Sequence, residues 1–352
     1  MRAKRIGALG SIFAVALLTA GGVAFADNNP VDEKWWPSEF GPDDQAGATN
    51  YITPEKRIAA AKLVKQGKVI TLGMPYSNHM PLVPGRTFAL SIPGGPTHGP
   101  LNWPGENFDQ TFMDELVTAE IGQVGTQFDG LGHPMIRIHG VKGVPDDNYF
   151  YNGVRLSEVL SPRGLKKNGT HNVGSFFTRG ILIDITTLKG VDQLEIGYAI
   201  TLDDYKAALQ AQGIGDAEQG DVVLFRTGWN QWWKDNHTGN KTPDQIAADN
   251  KAYGAGEPGV APEVCDYLAE RKISMVGSDT WGLEPYNFPK DGPPEKFAYC
   301  HMNLIVRHGI YNFENLDLDG VSQEKVYEFL FSWAPIKLVG ATGAPGNPIA
   351  AY

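Results

Sequence analysis

Four short stretches of the chain are apolar almost without interruption: Val69–Leu72 (VITL), Gly180–Ile185 (GILIDI), Val222–Phe225 (VVLF) and Ile273–Val276 (ISMV). The last three are β-branched runs bounded by Gly, Asp or Ser. Runs without polar alternation predict strands buried on both faces. Helical signals fall beside and between them. Thr53 as N-cap with Pro54 behind it predicts a helix that opens after Ile52 and stops at Gly67. Thr201 and Asp204 form a capping box opening DDYKAALQAQG, and Pro262 opens PEVCDYLAERK. A further helix is expected over 297–307. Strands alternating with helices predict an α/β fold.

Met80–Asn107 carries neither period. It holds SIPGGPTHGPLNWPGE and is expected to be a long irregular loop of the kind used for binding or as a lid. The 42 Gly and 24 Pro supply many such loops, and no Gly-X-Y period points to collagen. At 42% hydrophobic and 20% charged, the chain can bury a sizeable core. The formal charge of −10 argues against a nucleic-acid partner, which would need clustered Lys and Arg.

Arg2, Lys4 and Arg5 precede an apolar stretch from Ile6 to Val23, and Ala24-Phe25-Ala26 gives a small-x-small cleavage signature. Residues 1–26 therefore read as a signal peptide, with the protein expected to be secreted or periplasmic and free of the membrane once it is removed. Residues 27–67 form a polar segment, with Trp35 and Trp36 as anchors, followed by the first helix. Residues 68–352 form a single domain. Cys265 and Cys300 are too few for a disulfide framework or a Cys-based zinc site. Export would let them pair, and two separate buried thiols fit the sequence as well.

The densest cluster of candidate ligands is QVGTQFDGLGHP, residues 123–134. Gln123, Gln127, Asp129 and His133 recur at spacings of four, two and four, while Gly125, Gly130 and Gly132 favour a tight irregular backbone over a long helix. Such a backbone could aim several polar side chains at one point. The same residues also read as a Gly-rich turn with a capping Asp and a hydrogen-bonded His.

This segment resembles the signature of the cyclase family of metal-dependent hydrolases, the group of kynurenine formamidase and isatin hydrolase: His-x-Gly-Thr-His-x-Asp-x-Pro-x-His. Gly125, Thr126, Asp129 and His133 match it; Gln123 and Gln127 stand in place of two histidines, and Leu131 in place of proline. GDVVLFRTGW (220–229), VGSDTWGLEP (276–285), HMNLIVRHGIYNFENLDLDG (301–320) and GATGAPGNPIA (340–350) are similar to family segments in the same order. The resemblance implies a swivelling β/β/α fold, one divalent metal and a homo-oligomer. It carries metal binding onto Asp129, with Gln123 and Gln127 at the histidine positions. His133, His301 and Glu314 fall beside the same site, and His133 and His301 are the expected proton-transfer groups. A Gln carbonyl is a weaker zinc ligand than imidazole, so an oxygen-rich set would favour Mn²⁺ or Mg²⁺ over Zn²⁺. Alternatively the metal is held by Asp129, His133, His301 and Glu314 alone, or the site has decayed.

Arg86 is placed where a loop arginine could clamp a substrate carboxylate, and Trp281 stands at a strand end suited to a pocket. Asp279 reads as structural. Trp229, Trp232 and Trp233 form an aromatic cluster that reads as core, with one or two able to wall an apolar pocket. No Gly-x-Ser-x-Gly elbow, Walker loop or dinucleotide fingerprint is present. The expected activity is hydrolysis of an amide, lactam or lactone in a small aromatic or cyclic molecule. A non-catalytic binding protein and a cyclase or dehydratase using the metal as Lewis acid are the alternatives.

Overall fold

Along Val222–Arg226 the apolar run divides between two cores: Val223 and Phe225 enter one, and Val222 and Leu224 the other. The computed structural model describes residues 35–96, 98–102, 104–236, 241–287 and 298–352. The expected signal peptide, the residues before Trp35, and Phe297 lie outside them.

The main sheet has nine strands: β1 (Val69–Thr71), β2 (Gln127–Asp129), β3 (Phe176–Asp184), β4 (Val222–Arg226), β5 (Met275–Ser278), β6 (Tyr311–Glu314), β7 (Glu328–Trp333), β8 (Gly343–Pro345) and β9 (Ile349–Ala351). Their order is β1-β9-β7-β3-β4-β5-β6-β2-β8. Neighbours from β3 to β6 are parallel, and the outer strands on both sides join antiparallel. One face packs under α2 (Leu202–Gln212) and α4 (Pro262–Glu270), burying Tyr205, Val264 and Leu268 with Ile181 and Ile183. The other face closes on itself. Phe128 of β2 and Trp333 of β7 lie five places apart in the order, which a flat sheet would hold roughly 24 Å apart. Their rings are 4.6 Å apart, because the sheet curls around an aromatic core that includes Phe176, Phe313 and Phe331. The result is a mixed α/β single domain of the expected class.

The expected strands and capped helices are present, with shifted ends. The helix after Thr53, α1, covers Pro54–Ala61 rather than running to Gly67; its last turn tightens as Lys62 and Leu63 donate to Ala59 and Ala60. Two features differ in kind. The stretch over 80–107 is not wholly irregular: Phe88–Ser91 pairs with Leu116–Ala119, and His98–Asn102 with Asp109–Phe112. These ribbons are largely exposed, so no inside–outside alternation marks them. The expected helix before Arg307 is a π-helix, His301–Arg307. Several helices of the described residues were not foreseen; the longest is α3 (Pro243–Tyr253), opened by a capping box between Thr242 and Gln245. Trp36 does anchor its segment, stacking on Tyr149 at 5.3 Å.

Candidate metal centre

Strand alternation on β2 sends Phe128 into the aromatic core and turns Gln127 and Asp129 to the other face. β6 runs antiparallel beside it, setting Glu314 opposite Gln127. The turn before β2 is pinned by Thr126, whose hydroxyl accepts from Met74 N–H (2.7 Å) and donates to the Asn315 carbonyl (2.6 Å). Gly125 has φ +67°, and a Cβ there would collide with the Tyr76 ring. These contacts explain the Gly-Thr of the signature as scaffold. After β2, His133 N–H donates to the Gly130 carbonyl in a tight turn that brings its ring back over Asp129.

His301 opens the π-helix and reaches the same point from there. Its Nε2 lies 3.3 Å from Asp129 Oδ2 and 3.2 Å from Glu314 Oε1, and His133 Nε2 lies 3.6 Å from Asp129 Oδ2. Ligand atoms of Asp129, His133 and His301 all fall within 4.8 Å of one another. Glu314 adjoins them through His301. Gln123 donates its amide N–H to Asp129 Oδ1 (2.6 Å) and to the Gly122 carbonyl (2.7 Å). Gln127 donates to Glu314 Oε2 (2.5 Å). Both glutamines thus meet the carboxylates through nitrogen, and of the two carbonyl oxygens Gln127 Oε1 is buried without a hydrogen bond.

The electrostatics are those of a crowded anionic pit. Burial raises the Glu314 carboxyl, and nearby Asp129 adds to it, so it reaches about 8. Burial also opposes the Asp129 charge, but His133, His301 and the Gln123 amide overcome it and hold Asp129 below its usual range. Burial pushes His133 down, Asp129 only partly offsetting it. His301 sits well above its ordinary value because Glu284, Asp129 and Glu314 outweigh its burial. Asp129 Oδ2 and Glu314 Oε1 are buried and accept no hydrogen bond. Two carboxylates and two imidazoles converging on unbonded lone pairs fit a divalent cation, which would offset the burial and the repulsion from Asp129 that raise Glu314.

A cavity of about 280 Å³ opens onto this cluster. Val83, Val124, Tyr253, Trp281 and Met302 give it apolar walls, and the exposed Arg86 also lines it. All eight residues singled out in the sequence (Arg86, Gln123, Gln127, Asp129, His133, Trp281, His301 and Glu314) line this one cavity. Asp279 does not; it clamps the next strand end, accepting from Thr227 N–H, Thr227 hydroxyl and Gly228 N–H. Trp229 and Trp233 pack behind the wall with Tyr253. Sequence reasoning missed two buried acids. Glu257 accepts from the Trp281 and Gly282 N–H groups (2.7 and 2.8 Å), and Glu284 embraces the far side of His301. Glu284 stands within VGSDTWGLEP, so an acid next to a site tryptophan was the available signal.

The family model "Cyclase" (described as "Putative cyclase") matches residues 70–285. A crystal structure described as a novel cyclase is 30% identical, with 89% of this chain and 98% of that one covered, at a TM-score of 0.71. Isatin hydrolase A from Ralstonia solanacearum shares the fold at 19% identity, covering 85% of this chain and 97% of its own (TM-score 0.51). Isatin hydrolase A from Labrenzia aggregata, bound to benzyl benzoate, does so at 19%, 83% and 94% (TM-score 0.50). Among curated proteins none matches. With the signature turn, the curled sheet and these matches in agreement, the chain belongs to the cyclase family.

Proposed function

We propose that this protein is an exported metal-dependent hydrolase that cleaves a C–N or C–O bond next to a carbonyl, as in an amide, lactam or lactone, in a small aromatic or cyclic substrate. The observation that carries the reading is the convergence of Asp129, His133, His301 and Glu314, with two buried carboxylate oxygens left unbonded. Asp129, His301 and Glu314 would hold one divalent ion, zinc or manganese, with the His133 imidazole beside it. Gln127 Oε1 keeps a buried lone pair without a hydrogen bond, and Gln123 steadies Asp129. A metal bound there supplies Lewis-acid polarisation of a carbonyl and a lowered pKa for water.

The side chains supply the rest. The His133 side chain is 26% exposed against 10% for His301, so His133 is the imidazole that meets solvent and substrate. Burial favours its neutral form, which accepts a proton at nitrogen and returns it to the leaving nitrogen or oxygen. Trp281, Val83 and Met302 present flat or apolar surface to a ring and exclude water from it. Arg86 is placed to orient an acceptor on the substrate. The isatin hydrolases that share the fold make cyclic amides the first substrates to test. The leader carries the proposal of export, and the Cys265–Cys300 disulfide supports an oxidising compartment.

The test is elemental analysis of purified protein alongside hydrolysis of a panel of aryl formamides, lactams and lactones, before and after chelation. Stoichiometric metal and chelator-sensitive turnover are expected. Turnover that persists in metal-stripped protein would overturn the metal reading. A metal-free protein that binds the panel without turning it over would make it a binding protein.

A further inference from the structure

Glu284 reaches His301 from the side opposite the cluster. Leu283 before it adopts φ +64°, a left-handed conformation costly for a leucine, and its buried side chain packs into the helix-side core. That turn brings the Glu284 carboxylate inward, 4% exposed, against the first residue of the π-helix. Its Oε1 accepts the His301 backbone N–H at 2.9 Å, and both oxygens lie 2.9 Å from His301 Nδ1. Tyr286 hydroxyl donates to Oε2 at 3.0 Å. The carboxylate therefore grips backbone and ring of one residue and is itself steadied.

A carboxylate offers only acceptors, so the nitrogen facing it carries hydrogen. Nδ1 is thereby the protonated nitrogen, and Nε2 is the atom presented to Asp129 and Glu314. An imidazole whose outer N–H is bound by a carboxylate is fixed in tautomer and ring angle and made a stronger donor at its inner nitrogen.

We propose that Glu284 is a positioning residue that holds His301 in the Nδ1–H tautomer with Nε2 aimed into the cluster, and that it thereby sets the affinity of the centre for a divalent metal. The assignment rests on the metal reading proposed above. Glu284 touches neither the cavity's substrate space nor the Nε2 side of the ring; it acts through His301.

The experiment titrates Zn²⁺ and Mn²⁺ into metal-stripped mature protein by calorimetry, for the unaltered chain, Glu284→Gln and Tyr286→Phe. Glu284→Gln keeps the shape and removes the charge; metal affinity is expected to fall about 10- to 100-fold. Nitrogen NMR of the zinc-loaded unaltered protein is expected to show His301 protonated at Nδ1, a readout that packing alone would not fix. If Glu284→Gln does not fold, Tyr286→Phe decides, with a smaller loss in the same direction. Unchanged affinity in the folded variant, or His301 protonated at Nε2, overturns the assignment. If the unaltered protein takes up neither metal, the metal reading fails first, and this assignment falls with it.

Discussion

Gln127 donates its amide N–H to Glu314 at 2.5 Å, and Gln123 does the same for Asp129 at 2.6 Å. Where the signature has two histidines, this chain has two neutral donors that stabilise carboxylates. Gln127→Glu would replace a donor with a third buried acid beside Glu314. Metal-stripped protein should then lose about 1–3 kcal/mol, the cost of leaving a buried polar partner unmet. Added divalent metal should restore more of the melting temperature in this variant than in the unaltered chain. Equal melting curves without metal would show that the glutamine nitrogens do not support the carboxylates.

His133→Ala should lower kcat by about 10²–10⁴-fold if the ring moves the proton. Its side chain is partly exposed, so circular dichroism and the unfolding midpoint should change little. A variant with near-normal kcat would leave proton transfer to another group.

The parts legible in the sequence were those where burial leaves a mark. β4 and β5 were readable because burial on both faces makes an almost uninterrupted apolar run. The ribbon strand Phe88–Ser91 is exposed along most of its length, so no inside–outside period marks it, and it fell within the stretch read as loop. Asp129 and His133 stood out in the dense cluster of candidate ligands over 123–134, whereas His301 and Glu314 were found only through the family resemblance, since β2 and β6 meet by long-range pairing. Glu284 escaped because its partner lies 17 residues on and its inward turn depends on a left-handed leucine. No local pattern announces that.

The Cys265–Cys300 bond settles a point the sequence left open. It closes a 35-residue interval between α4 and the residue just before His301, with the Cα atoms 5.6 Å apart. Replacing both with Ala should cost about 2–4 kcal/mol in denaturant unfolding. The metal affinity should weaken too, because the start of the π-helix loses its tether. Unfolding that is indifferent to a thiol reductant in the unaltered protein, under conditions that reduce the denatured chain, would contradict a stabilising bond.

Asp216 provides the pH test away from the cavity. Burial acts to raise its carboxyl, but Arg271, the Tyr205 and Tyr267 hydroxyls and the Ala217 N–H together bring it down to about 2. A carboxyl held below its unfolded value stabilises the fold fully above that value, near 3.8, and the contribution disappears as pH falls towards 2. With the side chain 36% exposed, solvent screening limits the effect to about 1 kcal/mol at neutral pH. Asp216→Asn should therefore be less stable than the unaltered protein at pH 7, and the gap should narrow between pH 4 and about pH 2 as Asp216 itself takes up a proton. Urea unfolding at several pH values measures this directly. A gap that stayed constant across that window would mean that the lost hydrogen-bond geometry, and not the charge, is what Asp216 contributes.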